Sequence, residues 1–505
     1  MRLAPAVARL LRIVTERRAT AFDRALHDPR AAQARTLAQI IGLCARTDYA
    51  RALGLSPRMD VDEYRARTPI VDYSAVRPWI ARQRDGGACA LAPGRVRSYE
   101  PTSGSADAVK HIPYNDALLG SFRALFAIWL HDLLVNVLRP RSGRTFISVS
   151  SPVRADGFTD DTEYLSRPLR ALLARFLIMP RRIGRAGADA WRDALAAALA
   201  SSDDLEVISV WNPSYLVILL DHLEARRDRI LTALPPARRA LFANRTLRWP
   251  EIWPSLQLIS CWTDATAAVP ASRLAALFPG VAIQGKGLIA TEAPVTVPLA
   301  RADGCAPLVD EVFLEFEDSE GRPRLLHEAT PGAEYSLIVS QAGGLLRYRL
   351  GDRVRVTGHY HATPLLTFCG RADDVIDLVG EKLSERFVAS ALHRLAGAGT
   401  FCTVLPVMPE EGRPHYWLLT DDPRPDLASA FEAALQQAFR YREARELGQL
   451  DAVTTLSRPE MRRVVHDALG ASGMRAGDIK DRALITSPDL ARRLRSQLAE
   501  VQAAT

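Results

Sequence analysis

Lysine is nearly missing from this chain. Of 65 basic residues, 61 are arginine and four are lysine: Lys110, Lys286, Lys382 and Lys480. Wherever a generic positive charge was needed, the chain uses arginine. Lysine offers a compact point charge on a flexible stem, suited to a single anionic oxygen. The four lysines are therefore candidates for a task arginine performs poorly, the alternative being chance survival. Cysteine is also scarce. The six cysteines make no C-x-x-C pair and the ten histidines make no H-x-x-x-H pattern. That argues against zinc and disulfide frameworks and for a reducing cytoplasm. Long apolar runs are lacking too. The nearest, Ala124 to Leu138, is broken by His131, Asp132 and Asn136, which weighs against a membrane span.

Other absences narrow the function. The formal charge is +7, yet no dense basic run occurs, and opposite charges are interleaved from Glu224 to Arg229 and from Glu443 to Glu446. A solvated charged surface fits this better than a nucleic-acid interface. At the N-terminus, Arg2, Arg9, Arg12, Arg17 and Arg18 are mixed with Leu3, Val7, Leu10, Leu11 and Val14 at helical spacing. This reads as a packed amphipathic helix, because a signal peptide needs an unbroken apolar region, and Glu16 and Asp23 fit a transit peptide badly. Neither a G-x-x-x-x-G-K-[ST] loop nor a G-x-S-x-G elbow is present.

What is present is a globular composition, 48% hydrophobic and 24% charged over 505 residues. At roughly 100–200 residues per domain, that length predicts two to four domains. Residues 1 to about 90 read as helical, Tyr99–Tyr114 as a polar loop, and Ala117–Leu138 as a long apolar helix. Short apolar strands over Thr145–Ser150, Leu205–Val210, Leu256–Trp262 and Val281–Gln284 alternate with helical segments, which predicts a parallel or mixed sheet with sites at its strand ends. Val312–Val356 turns to β alternation. After Arg371 the pattern changes again, with strands at Thr403–Val407 and His415–Leu419 and helices at Asp426–Arg440 and Pro459–Leu469. The expected fold class is α/β: a large N-terminal domain (1–372) with mixed β-sheets covered by helices, and a small α+β C-terminal domain (373–505).

Five segments carry chemistry. Pro101–Lys110 combines small hydroxyl residues, Gly104 and a terminal lysine; it reads as an anion-cradling loop or as a Ser-rich turn. Gln284–Glu292 delivers Thr291 and Glu292 from a glycine-flanked loop, with a carboxylate able to hold magnesium beside phosphate; the alternative is an ordinary exposed loop. In Leu346–Asp352 a carboxylate follows Gly351 at the end of a β segment, a placement suited to ribose hydroxyls or to a plain turn. Cys369–Lys382 places Gly370-Arg371 beside the domain boundary, as a nucleotide contact or as a charged linker. Gly477–Leu484 surrounds Lys480, which by position alone reads as a surface lysine.

In this order, the segments resemble the adenylate-forming superfamily, and within it the Gretchen-Hagen-three (auxin-responsive) family of acyl acid amido synthetases. The resemblance rests on Thr102-Ser103-Gly104-Ser105 leading to Lys110-x-Ile112-Pro113-Tyr114, on Gln284-Gly285-Lys286-Gly287-Leu288 with Ala290-Thr291-Glu292, on Tyr348–Asp352 with Val356-Thr357-Gly358, and on Tyr441–Arg445 followed by Gly477–Lys480. It implies an enzyme that activates a carboxylic acid with ATP and Mg²⁺ and passes the acyl group to an amine, an amino acid by family analogy. Ser103, Gly104, Ser105 and Lys110 would cradle the phosphates. Ala290, Thr291 and Glu292 would hold the adenylate, with Glu292 on the metal. Asp352 would bind ribose, Arg371 ribose or phosphate, Asp373 would be the hinge of a mobile C-terminal domain, and Lys480 its catalytic lysine. Relatives carry a second glycine near Asp107. Two like charges about 4 Å apart repel by about 4 kcal/mol at an effective dielectric near 20, so Asp107 either points away from phosphate or weakens its binding. The acyl pocket would draw on the Ala117–Leu138 helix, Trp211 and Tyr215, with Arg123 either a candidate for the acid's carboxylate or another anion, or a charge on a solvated helix face. Rival readings are transfer to a coenzyme A or carrier thiol, and a nucleotide-binding protein without turnover. No nucleic-acid or membrane partner is expected.

Overall fold

The computed structural model describes residues 3–87, 89–102, 110–147, 171–178, 188–232, 234–242, 247–302, 304–371, 375–396, 400–409, 412–459, 461–471 and 482–503. These fall into two compact units, one ending at Arg371 and the other beginning after it.

The larger unit begins with five helices: α1 (Leu3–His27), α2 (Pro29–Cys44), α3 (Asp48–Ala52), α4 (Val61–Arg67) and α5 (Tyr73–Arg84). Their starts follow local chemistry. Asp28 caps α2 with Pro29 in its first turn, Asp60 and Glu63 form a capping box on α4, and Asp72 caps α5 through the Ser74 and Ala75 N–H groups. The segment expected to be a polar loop is instead a hairpin, β1 (Val96–Thr102) paired antiparallel with β2 (Lys110–Asn115). Pro101 and Pro113 hide its alternation, but Ile112 and Tyr114 are fully buried and anchor it. Asn115 then caps α6 (Asp116–Asp132), which runs on into a π-helical turn, Leu133–Val137. By length and composition this helix could cross a membrane. Here Leu118, Phe122, Leu125 and Ile128 pack into the main core.

Two sheets follow. The first is parallel throughout, with β3 (Arg144–Ile147), β4 (Leu177–Ile178), β5 (Leu205–Ser209), β6 (Leu258–Cys261) and β7 (Ala282–Gly285) in the order β4-β3-β5-β6-β7. Its buried apolar strands alternate with helices such as Pro213–Ala225 and Ala268–Leu277, as crossover connections require. The buried Glu206 carboxylate accepts from the N–H groups of Arg141, Ser142 and Gly143 at 2.7–3.0 Å, fixing the entry to β3. The second sheet is antiparallel: β8 (Thr296–Pro298), β9 (Cys305–Pro307), β10 (Phe313–Glu317), β11 (Pro323–Leu325), β12 (Glu334–Ser340), β13 (Tyr348–Tyr360) and β14 (Thr363–Arg371), ordered β11-β10-β12-β13-β14-β9-β8. Within it, buried Glu315 is gripped by Arg347 at 2.7 and 2.8 Å and by Arg65 at 3.0 Å. Of the two arrangements expected for the strands from Thr145 to Gln284, parallel or mixed, the parallel one is found, and the later β alternation forms a separate antiparallel sheet.

The smaller unit holds β15 (Val375–Ile376) paired with β16 (Leu383–Ser384), and a sheet of β17 (Cys402–Val407), β18 (His415–Thr420) and β19 (Thr454–Ser457). The single helix expected over Asp426–Arg440 is two, Leu427–Leu435 and Phe439–Glu446. Glu432 ties the two together across the break: Tyr441, Arg445 and the Val453 N–H all donate to its carboxylate.

Candidate active site

Lys110 opens β2, and its ammonium lies 5.8 Å over the Tyr73 ring. The Tyr73 hydroxyl accepts the His111 N–H at 2.9 Å. Asp72, the cap of α5, has its carboxyl held below the usual range. The Ser74 hydroxyl is the main cause, and the Ser74 and Ala75 N–H groups and the Lys110 charge add to it against partial burial. Val71 joins this end of α5 to β13: its N–H donates to the Arg347 carbonyl at 3.0 Å and its carbonyl accepts from Arg349 at 2.8 Å.

Tyr348, the first residue of β13, links these groups to the next loop. Its hydroxyl is pushed well up from its ordinary value, first by burial and then by the Glu292 carboxylate, with Asp72 and Tyr73 adding and Arg371 opposing. Thr291 and Glu292 form the tip of a tight turn in which Ala290 and Ala293 exchange backbone hydrogen bonds at 3.1 and 3.2 Å. The turn is pinned from below, where the Tyr114 hydroxyl donates to the Thr291 carbonyl at 2.7 Å and Gln341 donates to the Glu292 carbonyl at 3.0 Å. Glu292 itself is buried.

Asp352 does not end a strand, as the sequence suggested; it lies within β13, directly across from Arg371 on β14. Arg371 donates to its carboxylate at 2.9 Å and to the Leu350 carbonyl at 3.3 Å. Gly351 (φ +82°) and Gly370 (φ +120°) precede the two partners. Those conformations suit glycine and permit the local irregularity that turns the pair toward each other. Glu292 and Arg371, the partner of Asp352, thus lie within electrostatic reach of Tyr348, as does Tyr73, over whose ring Lys110 sits, all within one unit.

A second cluster stands beyond the carboxyl ends of the parallel strands. Lys286, directly after β7, is 4% exposed. Its ammonium donates to the Ser209 hydroxyl at the end of β5, 2.8 Å away, and faces the Trp129 and Trp211 rings at 5.1 and 4.9 Å. Trp129 is steered by its own N–H, which donates to Gln284 at 2.8 Å. Trp211 rests 5.8 Å from Trp262, and Tyr215 is buried in the following helix. Burial pushes the neighbouring Cys261 thiol up to about 12 despite the Lys286 charge. Sequence reading gave Lys286 no role, although the rarity of lysine had marked it.

Arg123 belongs elsewhere. It is exposed and lines a cleft of about 550 Å³ with Leu43, Gly120 and the ion-paired Arg18, Asp310 and Glu311. The structure does not group it with Trp211 and Tyr215, because six positions along α6 turn it onto a different face from Trp129. Burial raises the Glu311 carboxyl in that cleft, opposed by Arg18. Among the described residues, Asp23, His27 and His361 are the group spaced to share an ion, and Arg301 contacts Asp23 at 3.2 Å. Ser103, Gly104, Ser105, Asp107, Asp373 and Lys480 lie outside the described residues.

Comparison with known proteins places this geometry. The model of the GH3 family N-terminal domain matches residues 18–236, and that of the GH3 family central domain matches residues 306–371, together more than half the chain. The chain belongs to the GH3 family. A rice (Oryza sativa subsp. japonica) relative named "Probable indole-3-acetic acid-amido synthetase GH3.12" is 24% identical over 471 residues, covering 75% of each chain. The human "GH3 domain-containing protein" is 29% identical over 159 residues, 29% of this chain and 30% of that one. Among solved structures, the AtGH3.15 acyl acid amido synthetase in complex with 2,4-DB superposes with a TM-score of 0.63 at 17% identity, over 95% of this chain and 96% of that one. A 2-hydroxyisobutyryl-CoA ligase gives 0.55 at 15%, over 94% of both. The GH3 fold thus extends over nearly the whole chain.

Proposed function

We propose that this GH3 protein uses ATP to activate a carboxylic acid and then joins the acyl group to an amine, an amino acid by analogy with its relatives. The observation that carries this reading is the gathering about Tyr348 of Glu292, of Arg371 with its partner Asp352 and, through Tyr73, of Lys110. It combines a cation for phosphate, a buried carboxylate, and a carboxylate–arginine pair suited to ribose hydroxyls and phosphate oxygens.

In the first step a carboxylate oxygen of the acid attacks the α-phosphorus of ATP. A new P–O bond forms, the bond to the bridging oxygen breaks, and pyrophosphate leaves. In the second step the amine nitrogen attacks the acyl carbon, the bond to the AMP oxygen breaks, and the nitrogen loses a proton. Positioning and charge stabilisation supply most of the catalysis. Lys110 stabilises phosphate charge, Asp352 and Arg371 fix the nucleotide, and the pinned turn presents the Glu292 carboxylate. That buried hard oxygen donor suits Mg²⁺, which when bound neutralises phosphate charge. The sequence resemblance assigns Lys480 the same stabilising task. Product mass spectrometry tests the acceptor: with acid, ATP and either glycine or coenzyme A supplied, the reading expects an amide plus AMP. Thioester formation without amide contradicts it.

A further inference from the structure

We infer that Asp23, His27 and His361 form a binding site for one Zn²⁺ or a divalent transition-metal ion of like chemistry, which clips helix α1 to the tip of the β13–β14 hairpin. The inference stands apart from the acid-activating reading. Asp23 and His27 are four residues apart on α1, hence one above the other on the same face. His361 comes from the hairpin. Its tip is tied to the last turn of α1, where the Ala362 N–H and the Thr363 hydroxyl both donate to the Leu26 carbonyl, at 3.2 and 2.8 Å. The His27 and His361 rings stack with centroids 3.7 Å apart, and His361 Nε2 lies 3.4 Å from the Asp23 carboxylate. One ligand atom from each of the three lies within 4.8 Å of the others. A tetrahedral ion with bonds of about 2.0–2.2 Å separates its ligand atoms by about 3.4 Å, so the His361–Asp23 edge already has the required length. His27 is exposed at the end of its helix, and a rotation of its side chain supplies the rest.

The backbone adds a second observation. Tyr360 pairs with Thr363, so His361 and Ala362 make a two-residue loop, and His361 has φ +54°. Glycine takes such a conformation without strain and is the residue these loops favour. A histidine there keeps a side chain where the turn itself favours none. The donor set of two imidazoles and one carboxylate suits Zn²⁺ and its transition-metal neighbours, not Mg²⁺, which prefers oxygen alone. The negative end of the α1 dipole lies at His27 and favours a cation there. A cation already uses the place, since Arg301 donates to Asp23 at 3.2 Å. Arg301 is exposed, and its Nε lies 4.0 Å from the buried Asp132 carboxylate, which can receive it when the ion takes Asp23. Half of the site is written in the sequence as Asp23-x-x-x-His27; the other half arrives only with the fold.

The test is calorimetric titration of zinc chloride into the full-length, chelator-stripped protein without nucleotide, with magnesium chloride in parallel. The expected result is Zn²⁺ binding that Mg²⁺ does not displace, and a thermal midpoint that rises with Zn²⁺, as for any ion that binds only the folded chain. H361G and H27Q should each weaken Zn²⁺ binding by about tenfold or more, since even the loss of an outer partner of a metal site costs that much. R301Q should tighten it by removing the competing guanidinium. H361G keeps the experiment decisive: glycine suits the turn, so the metal-free variant should melt no lower than wild type. Histidines that merely pack the hairpin onto α1 would instead lower the metal-free midpoint when replaced and leave Zn²⁺ affinity untouched. That outcome, a wild type that takes up no Zn²⁺, or displacement of the bound Zn²⁺ by Mg²⁺ overturns the proposal.

Discussion

In the parallel sheet the residues that can meet a ligand come after the strands: Ser209 closes β5, Trp211 follows it, and Lys286 follows β7. In the antiparallel sheet they lie on the strands themselves, and Asp352 and Arg371 meet as a cross-strand pair. The first sheet gathers an aromatic, cationic cluster from the loops beyond its strands. The second builds a rigid polar pair whose geometry is the hydrogen-bond register. On the proposed reading, the antiparallel pair would meet the nucleotide, and the residues beyond the parallel strands would meet the acid.

Substitutions can break that division of labour. The largest effect is expected from R347M in the antiparallel sheet, which strips buried Glu315 of its two-point partner. Leaving one half of such a pair costs about 3–5 kcal/mol, lessened here because Arg65 stays bonded to Glu315, and chemical denaturation measures it. D352A comes next. It should raise the KM for ATP about tenfold, the loss of a charged hydrogen bond, and leave acid binding unchanged. W211L should do the reverse, weakening acid binding several-fold with ATP binding intact. If either variant impairs both substrates equally, the separation of roles fails.

The smallest effect extends the comparison to the other unit. Among the described residues, no arginine grips buried Glu381 as Arg347 grips Glu315; Tyr416 and the Leu378 and Val379 N–H groups donate to it. Burial, aided by the Asp377 charge, raises its carboxyl to about 7. A folded value above the ordinary 4.5 means that the native state binds the extra proton, so this contribution is present below about pH 4.5 and fades as pH rises through about 7. E381Q should flatten that pH dependence, read from denaturation midpoints across the interval.

How legible each part was in the sequence follows from the same contrast. Strands β5, β6 and β7 and the loop from Lys286 to Glu292 are visible because short apolar runs bounded by polar or turn residues are local signals. The Asp352–Arg371 pair was visible only as two separate motifs, since a register joining residues 19 positions apart leaves no local trace. The β1–β2 hairpin was read as a loop because its prolines interrupt the alternation. Arg123 was grouped with Trp211 because helix membership was legible and helix face was not. Lys286 was marked by scarcity alone; its partners Ser209 and Trp211, at the end of β5, and Trp129, on α6, come from two distant segments that only the fold assembles.

The central claim is that the groups around Tyr348 form one acid-activating centre. Pyrophosphate exchange into ATP, measured with and without acid and in the absence of any amine, tests it most directly. The account predicts exchange that depends on the acid and falls at least about tenfold in D352A at limiting ATP. A folded, ATP-binding protein that shows no exchange across a broad panel of carboxylic acids, or exchange indifferent to D352A, would contradict it.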